Sequence, residues 1–327
     1  MNSIIVFNEI CFYHHNKIII YFLSNNNNNN IQIKNITYSN LKKLNLSNNY
    51  SLMPKTKIIY DKLKRRNVFY IIISGNLYNF NQKRITITYS NNTQSKNIKL
   101  KFPFQKFVGT LPKNSVIIST MCKDYDNRLS EWIKYNLKLG FDRIVIFNNG
   151  GIKSNKFIKQ HSNRILIVNF PYREFKNEHW NTIQRIVFCV SAYAFKLYTK
   201  YIALIDADEF IYIPNNNNIK TFLSNYNTTI QIGSNLITNK SNDDLIDNNI
   251  LSLCKYVGPS KYTKLIINSN YIFHDNCFIF NPHFNDINRT TKLSKKLITH
   301  YHAWVNNRLP YNNKMEKINF LDNFINK

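Results

Sequence analysis

Tyr201-Ile-Ala-Leu-Ile-Asp206-Ala-Asp208-Glu209-Phe210 is the segment that most constrains the fold: a short apolar run breaks off into three acids. A bounded apolar run rich in branched and aromatic residues reads as a buried strand. In an open α/β sheet, ligands bind at the carboxyl ends of such strands, and this strand delivers Asp206 and Asp208 to that end. On an extended segment, residues two apart share a face, so both carboxylates reach one cation. Oxygen ligation suits Mg²⁺ or Mn²⁺, which would hold a diphosphate and neutralise a leaving group. A solvated acidic loop is the competing reading of an isolated Asp-x-Asp.

The surrounding chain supports the strand. Ser115 to Thr120 has a buried-strand pattern, and Asn127 to Leu139 carries Leu129, Trp132, Ile133 and Leu137 at helical spacing before Gly140 stops the helix. Arg143 to Phe147 is a second strand, closed by Asn148-Asn-Gly-Gly151. Lys156 to His161 reads as a short helix, Arg164 to Val168 as a third strand, and about His179 to Tyr198 as a long helix before the acidic-tipped strand. This β-α-β-α-β-α-β order predicts a mainly parallel, Rossmann-like sheet with helices on both faces. Further strands are expected at Thr228 to Ile232, Lys264 to Ile267 and Cys277 to Phe280, and a terminal helix from about Tyr311 to Ile325.

Residues 1 to about 112 read differently. Ile4 to Phe7, Ile18 to Leu23, Val68 to Ile73 and Ile85 to Tyr89 are strand-like runs separated by asparagine tracts such as Asn25 to Asn30. A β-rich accessory region over 1–112, an α/β domain over 113–305 and a helical tail over 306–327 are the expected organisation.

Composition narrows the classes of function. Forty-four Lys and Arg against 18 acids give a net charge of +26, a field that favours polyanions. The cations are spread along the chain rather than gathered in an arm, so no nucleic-acid partner is expected. The Asn and Lys bias also fits an AT-rich genome. The five cysteines are odd in number, far apart and without C-x-x-C, which argues against a disulfide framework or a structural zinc site. With no basic stretch leading into a long apolar one, no signal peptide or transmembrane helix is expected, and the expected location is cytoplasmic, the host cytoplasm for a viral source. Dinucleotide, P-loop and nucleophile-elbow signatures are missing.

Four separated elements occur in order: Met121 to Asn149 with Glu131-Trp132-Ile, Leu139-Gly-Phe-Asp and a strand ending Asn148-Asn149; a helix carrying Gln184; Asp206 to Phe210; and His300-Tyr301. Together, over roughly residues 115 to 305, they resemble glycosyltransferase family 92 and related family-2-like glycosyltransferases. The resemblance implies a GT-A fold, a nucleotide-sugar donor, with a UDP-sugar foremost, a glycan or protein-linked acceptor and a divalent cation, Mn²⁺ or Mg²⁺. It implies inverting transfer of a hexose such as galactose. Departures from the family pattern occur at Asp124-Tyr125, where the family has Asn-Glu, at Asn136 in place of histidine, at Asn148 in place of aspartate, and at Ile232-Gly-Ser-Asn235, a shortened acceptor loop lacking its histidine.

The site expected from these motifs has Thr120, Lys123, Asp124, Asn149, Gln184 and Asp206 on the nucleotide-sugar, with Asp126 as the alternative to Asp124. Asp206, Asp208 and His300 hold the metal, with His302 as the alternative to His300. Thr120 could equally cap a helix, and Asn149 could make a turn. An inverting transfer needs a base for the acceptor hydroxyl; Asp244 is the candidate, from the group Asp243, Asp244 and Asp247, with Asp275 next. His274 resembles a family histidine. Trp180 and Trp304 read as core or as stacking platforms. The alternative function is a GT-A-like protein without activity that binds acidic glycans or nucleic acid.

Overall fold

The computed structural model describes residues 4–14, 17–24, 33–38, 67–74, 84–89, 95–123, 126–152, 158–159, 161–172, 180–214, 218–238, 251, 254, 256–272, 290–303 and 316–317. Its contacts divide the chain into two units, residues 1–110 with 168–186, and residues 111–167 with 187–327.

In the first unit, seven strands form two antiparallel sheets among the described residues. β1 (Ile4–Val6), β2 (Phe12–His14), β3 (Lys17–Ser24) and β5 (Asn67–Ser74) form a four-stranded sheet in which β3 pairs with the other three. β4 (Ile33–Tyr38), β6 (Arg84–Tyr89) and β7 (Ser95–Lys99) form a three-stranded one. The register of β3 and β5 is unbroken over eight pairs, from Lys17 opposite Ser74 to Ser24 opposite Asn67, as expected of two runs dense in Ile, Phe and Tyr. A buried aromatic cluster of Phe7, Phe170 and Tyr172 lies in the same unit. A single-turn helix, α1 (Gln105–Val108), follows.

The second unit is built on a ten-stranded sheet with path β10-β9-β8-β11-β14-β13-β16-β12, where β15 pairs with β13 and β17 with β14. The strands are β8 (Ser115–Cys122), β9 (Arg143–Asn148), β10 (Ile165–Asn169), β11 (Thr199–Leu204), β12 (Glu209–Tyr212), β13 (Thr229–Thr238), β14 (Tyr256–Asn268), β15 (Thr290–Lys292), β16 (Thr299–Ala303) and β17 (Glu316–Lys317). Among the described residues the helices are α2 (Asp126–Leu139), α3 (Trp180–Phe195), of which residues 187–195 belong to this unit, and α4 (Ile219–Ser224).

β8 is buried along its whole length because both its faces are covered. Val116 and Ile118 join Leu129, Trp132 and Ile133 of α2 in one core, while Ser119 on the opposite face meets Ser191 of α3 at 2.6 Å. β9, β8 and β11 run parallel, in register Ile117–Arg143 and Ile117–Ile202.

The expectation of a mainly parallel sheet is corrected by the other half. β14 runs antiparallel to both β11 and β13, and β12 antiparallel to β16, so the sheet is mixed. Strand periodicity carries no direction. β13 and β14 follow each other in the chain, and an antiparallel pair needs no crossover helix.

β14 is also much longer than the expected Lys264 to Ile267, because its first half contains Gly258, Pro259 and Ser260, which read as a turn. Pro259 lies opposite Asn235, where the β13 register slips between Gly233 and Asn235, one of the few places a sheet accepts proline. The acceptor-loop segment at 232–235 thus lies within β13, opposite a bulge whose extra residues belong to β14. Of the expected terminal helix, Glu316–Lys317 pairs as a strand with β14 and the rest falls outside the described residues, as do Cys277 to Phe280 and most of Lys156 to His161.

Gly140 ends α2 at φ +104°, and a Cβ there would lie 2.8 Å from Asn218 Nδ2. Asn218 cannot move freely, because its side chain caps α4 by accepting from the Lys220 and Thr221 amides. Gly140→Ala is therefore expected to destabilise the fold by about 1–3 kcal/mol, seen as a lower urea midpoint; an unchanged midpoint would mean that this turn is not strained.

Candidate active site at the sheet's carboxyl edge

The parallel strands β9, β8 and β11 end side by side, which brings Asn148, Cys122 and Leu204 to one edge. β11 stops at Leu204 and the chain turns: the Glu209 amide donates to the Asp206 carbonyl at 3.1 Å. Asp206 and Asp208 therefore sit in a turn. This corrects the extended-segment expectation, and the two carboxylates have different partners.

Asp206 Oδ2 accepts from Lys264 Nζ at 2.6 Å, and Asp208 Oδ2 lies 3.3 Å from His302 Nε2. Glu209 begins β12 and is buried between the two pairs. Its Oε2 accepts from the Asp206 amide at 3.1 Å and lies 3.3 Å from Lys264 Nζ; its Oε1 lies 3.6 Å from His300 Nδ1 and 3.8 Å from His302 Nδ1. Three strands meet here. β11 ends in the turn, β14 supplies Lys264, and β16 presents His300 and His302, with His302 opposite Glu209 and His300 opposite Ile211 in the β12–β16 register.

Helix α2 holds the turn from behind. Trp132 Nε1 donates to the Glu209 carbonyl at 2.9 Å, and the Tyr135 hydroxyl donates to the Ile211 carbonyl at 2.6 Å. Tyr135 also packs edge-on against Phe210, with ring centroids 5.2 Å apart. Glu131 Oε1 accepts from the Leu251 amide, and Asn136 Nδ2 donates to the Trp132 carbonyl. The Glu131-Trp132 pattern thus serves to position β12.

Electrostatics follow from burial. Loss of water pushes the Glu209 carboxyl up to about 7, against the opposing pull of Lys264. Burial alone would lower His302, but the hydrogen bond and charge of Asp208 outweigh it and raise the imidazole to about 9. Burial would also lower Lys264, and the charges of Asp206 and Glu209 raise it instead. The Cys122 thiol is pushed up by burial and by Asp208 and Asp206 beyond it, so it is no nucleophile.

The other expected contacts are distributed as follows. Thr120 is fully buried on β8 beside Cys122, and Lys123 is half-buried just past it. Asn149 is fully buried beyond β9; its amide donates to the Cys122 carbonyl at 2.8 Å, and neither side-chain polar atom has a hydrogen-bond partner among the described residues. Gln184 is buried on the part of α3 that belongs to the first unit. Asp124, Asp243, Asp244, Asp247, His274, Asp275 and Trp304 lie outside the described residues, as do the side chains of Asp126 and Trp180.

An unsatisfied buried amide costs about 1–3 kcal/mol, and such groups cluster where a ligand completes them. Asn149→Ala is accordingly expected to keep stability within about 1 kcal/mol, compared by thermal melting. A large thermal loss would make Asn149 a structural residue.

Among the described residues, no group of three or more His, Cys, Asp or Glu side chains is placed to hold a metal ion. Nucleotide-bound Mg²⁺ seldom uses such a group: it takes one or two protein donors and completes its shell from phosphates and water. Asp208 Oδ2 and His302 Nε2 lie 3.3 Å apart as an ion pair in which the imidazole holds its proton, so a cation takes Asp208 as an oxygen donor and recruits His302 only by displacing that proton. An oxygen–imidazole pair also suits Mn²⁺. With that proton displaced, Asp208 and His302 are a donor set that fits a divalent cation.

Lys264 is the residue that sequence reasoning missed. Its signal was a lone lysine heading the apolar run Leu265-Ile-Ile, in a chain where lysine is too common to stand out.

Carboxylates and imidazoles gather at the carboxyl edge of an α/β sheet, where such sheets bind their ligands. The model of glycosyltransferase family 92 matches residues 113–325, and the chain belongs to that family. It is similar to a family 92 glycosyltransferase protein of Oryza sativa subsp. japonica, 23% identical over 154 residues, which are 46% of this chain and 23% of the rice protein. The chain thus spans less than a quarter of the length of that relative. Among the described residues no helix is long and apolar enough to cross a membrane.

Proposed function

We propose that this chain is a metal-dependent glycosyltransferase of GT-A type that moves a hexose from a UDP-sugar to a hydroxyl of a glycan or protein-linked acceptor, with inversion. The observation that carries this reading is the turn at Asp206–Glu209. It presents Asp208, 28% exposed and paired with His302, at the edge where three parallel strands end, within the family's matched region.

Asp208 and His302 would hold the cation, with Asp206 beside them on the nucleotide-sugar. His300, the expected third ligand, is fully buried with its Nδ1 3.6 Å from Glu209 Oε1, so His302 takes that place in the proposal. Bound Mn²⁺ or Mg²⁺ would neutralise the diphosphate as it leaves. Thr120, Lys123 and Asn149 line the base and ribose side of the edge; Asp124 and Gln184 remain candidates for the same role. In the transfer, the bond from the anomeric carbon to the diphosphate oxygen breaks, the acceptor oxygen bonds to that carbon, and the acceptor proton passes to a carboxylate, for which Asp244 is proposed.

Incubation with a panel of UDP-, GDP- and CMP-sugars, with Mn²⁺, Mg²⁺ or EDTA, tests the reading. Release of nucleotide from one UDP-sugar, stopped by EDTA, is expected. Salt-sensitive binding of polyanions with no turnover of any donor would favour an inactive, glycan-binding protein instead.

A further inference from the structure

We infer that Lys264 is a positioning residue for the donor site, acting through Asp206, a role that rests on the nucleotide-diphosphate reading above. Its side chain is 1% exposed, so the ammonium does not reach a ligand itself. It lies between Asp206 and Glu209, at 2.6 and 3.3 Å. A buried lysine is rare unless paired, and this one is paired twice, with one carboxylate that is buried and one that is partly open.

The arrangement answers a problem that the acid cluster creates. Asp206, Asp208 and Glu209 within one turn carry three negative charges. Left alone, the buried Glu209 would take up a proton or swing out, and Asp206 would repel it. Lys264 offsets part of that charge at the bottom of the site. It also fixes Asp206 by a short charge-assisted bond, which sets the rotamer presented at the site. The lysine is itself held rigidly: β14 pairs with β13 at Lys264–Ile232 and with β11 at the next residue, Leu265–Leu204. The site's cation therefore comes from the middle of the sheet, where its geometry cannot drift.

Removing one partner of a buried pair leaves an uncompensated charge, whereas removing both is often tolerated. Lys264→Met/Glu209→Gln is therefore the informative variant, with Lys264→Met alone expected to melt earlier. UDP and GDP are titrated by calorimetry, with and without Mn²⁺, into the wild type, Lys264→Met/Glu209→Gln, Asp206→Asn/Glu209→Gln and the triple variant. With folding checked by melting, Lys264→Met/Glu209→Gln is expected to bind nucleoside diphosphate about 10–100-fold more weakly. The triple variant is expected to be no weaker than Asp206→Asn/Glu209→Gln, because the lysine acts only through Asp206.

Wild-type affinity in Lys264→Met/Glu209→Gln would overturn the inference, leaving Lys264 as a neutraliser of Glu209. Losses that multiply in the triple variant would overturn it too, since Lys264 would then touch the ligand directly. UDP affinity unaffected by Mn²⁺ in the wild type would sink the metal assignment and leave the Lys264 comparison readable. A wild type that binds neither nucleotide would overturn both.

Discussion

On the proposed function, Asp208→Asn is expected to lower sugar transfer by about 10²–10³-fold, with a smaller cost in stability from the lost pair with His302. The magnitude is that of losing one preorganised charged group aimed at developing charge. The carboxylate is 28% exposed, and its contact at the site is with His302 Nε2, 3.3 Å away. Asparagine keeps the shape of the side chain and removes its charge, so the proposed cation would lose its anionic ligand. The backbone role of residue 208 survives, because its carbonyl accepts from the Ala303 amide at 2.9 Å whatever the side chain. Donor hydrolysis at saturating Mn²⁺, set against the melting temperature, separates the two effects. Activity within a few-fold of wild type would remove Asp208 from the site, and a collapse in melting temperature would make it structural.

Trp132→Ala has the largest expected effect on stability, about 4 kcal/mol or more. Truncating a fully buried tryptophan costs about 3–5 kcal/mol through lost burial and the cavity left behind. The Glu209 carbonyl additionally loses its indole donor at 2.9 Å, a further cost of about 1–3 kcal/mol if no water replaces it. Trp132 is 0% exposed and sits in the core formed by β8, α2 and β12. Against a typical total of about 5–15 kcal/mol, this is a large share. Trp132→Phe separates the contributions: it keeps most of the packing, loses the hydrogen bond, and is expected to cost about 1–3 kcal/mol. Urea denaturation measures both variants. Should Trp132→Ala cost less than 1 kcal/mol, α2 does not hold the turn at Asp206–Glu209.

What could be read from the sequence divides along the sheet. β8, α2, β9, α3 and β11 were legible because each has a strong period and a clear stop, such as Gly140 after α2 or the acids after Leu204. The antiparallel half was poorly legible for three physical reasons. Strand direction leaves no trace in periodicity. The Gly258-Pro259-Ser260 stretch reads as a turn until its bulge partner in β13 is known. β16, Thr299–Ala303, has too few residues to show a period of its own.

The site was half legible. Asp206, Asp208 and the His300–His302 pair stood out by residue type. Which histidine meets which acid depended on the β12–β16 register, and the turn after Leu204 sent the two aspartates to different partners. Lys264 lies 58 residues from Asp206 in the chain, and nothing local tied the two together.

The most direct measurement is anomalous diffraction at the manganese edge from crystals grown with UDP and Mn²⁺. The account predicts one peak bonded to Asp208 and His302, with the diphosphate on its far side and Asp206 still paired to Lys264. UDP bound elsewhere, or bound at this edge with no manganese peak beside Asp208, would contradict it.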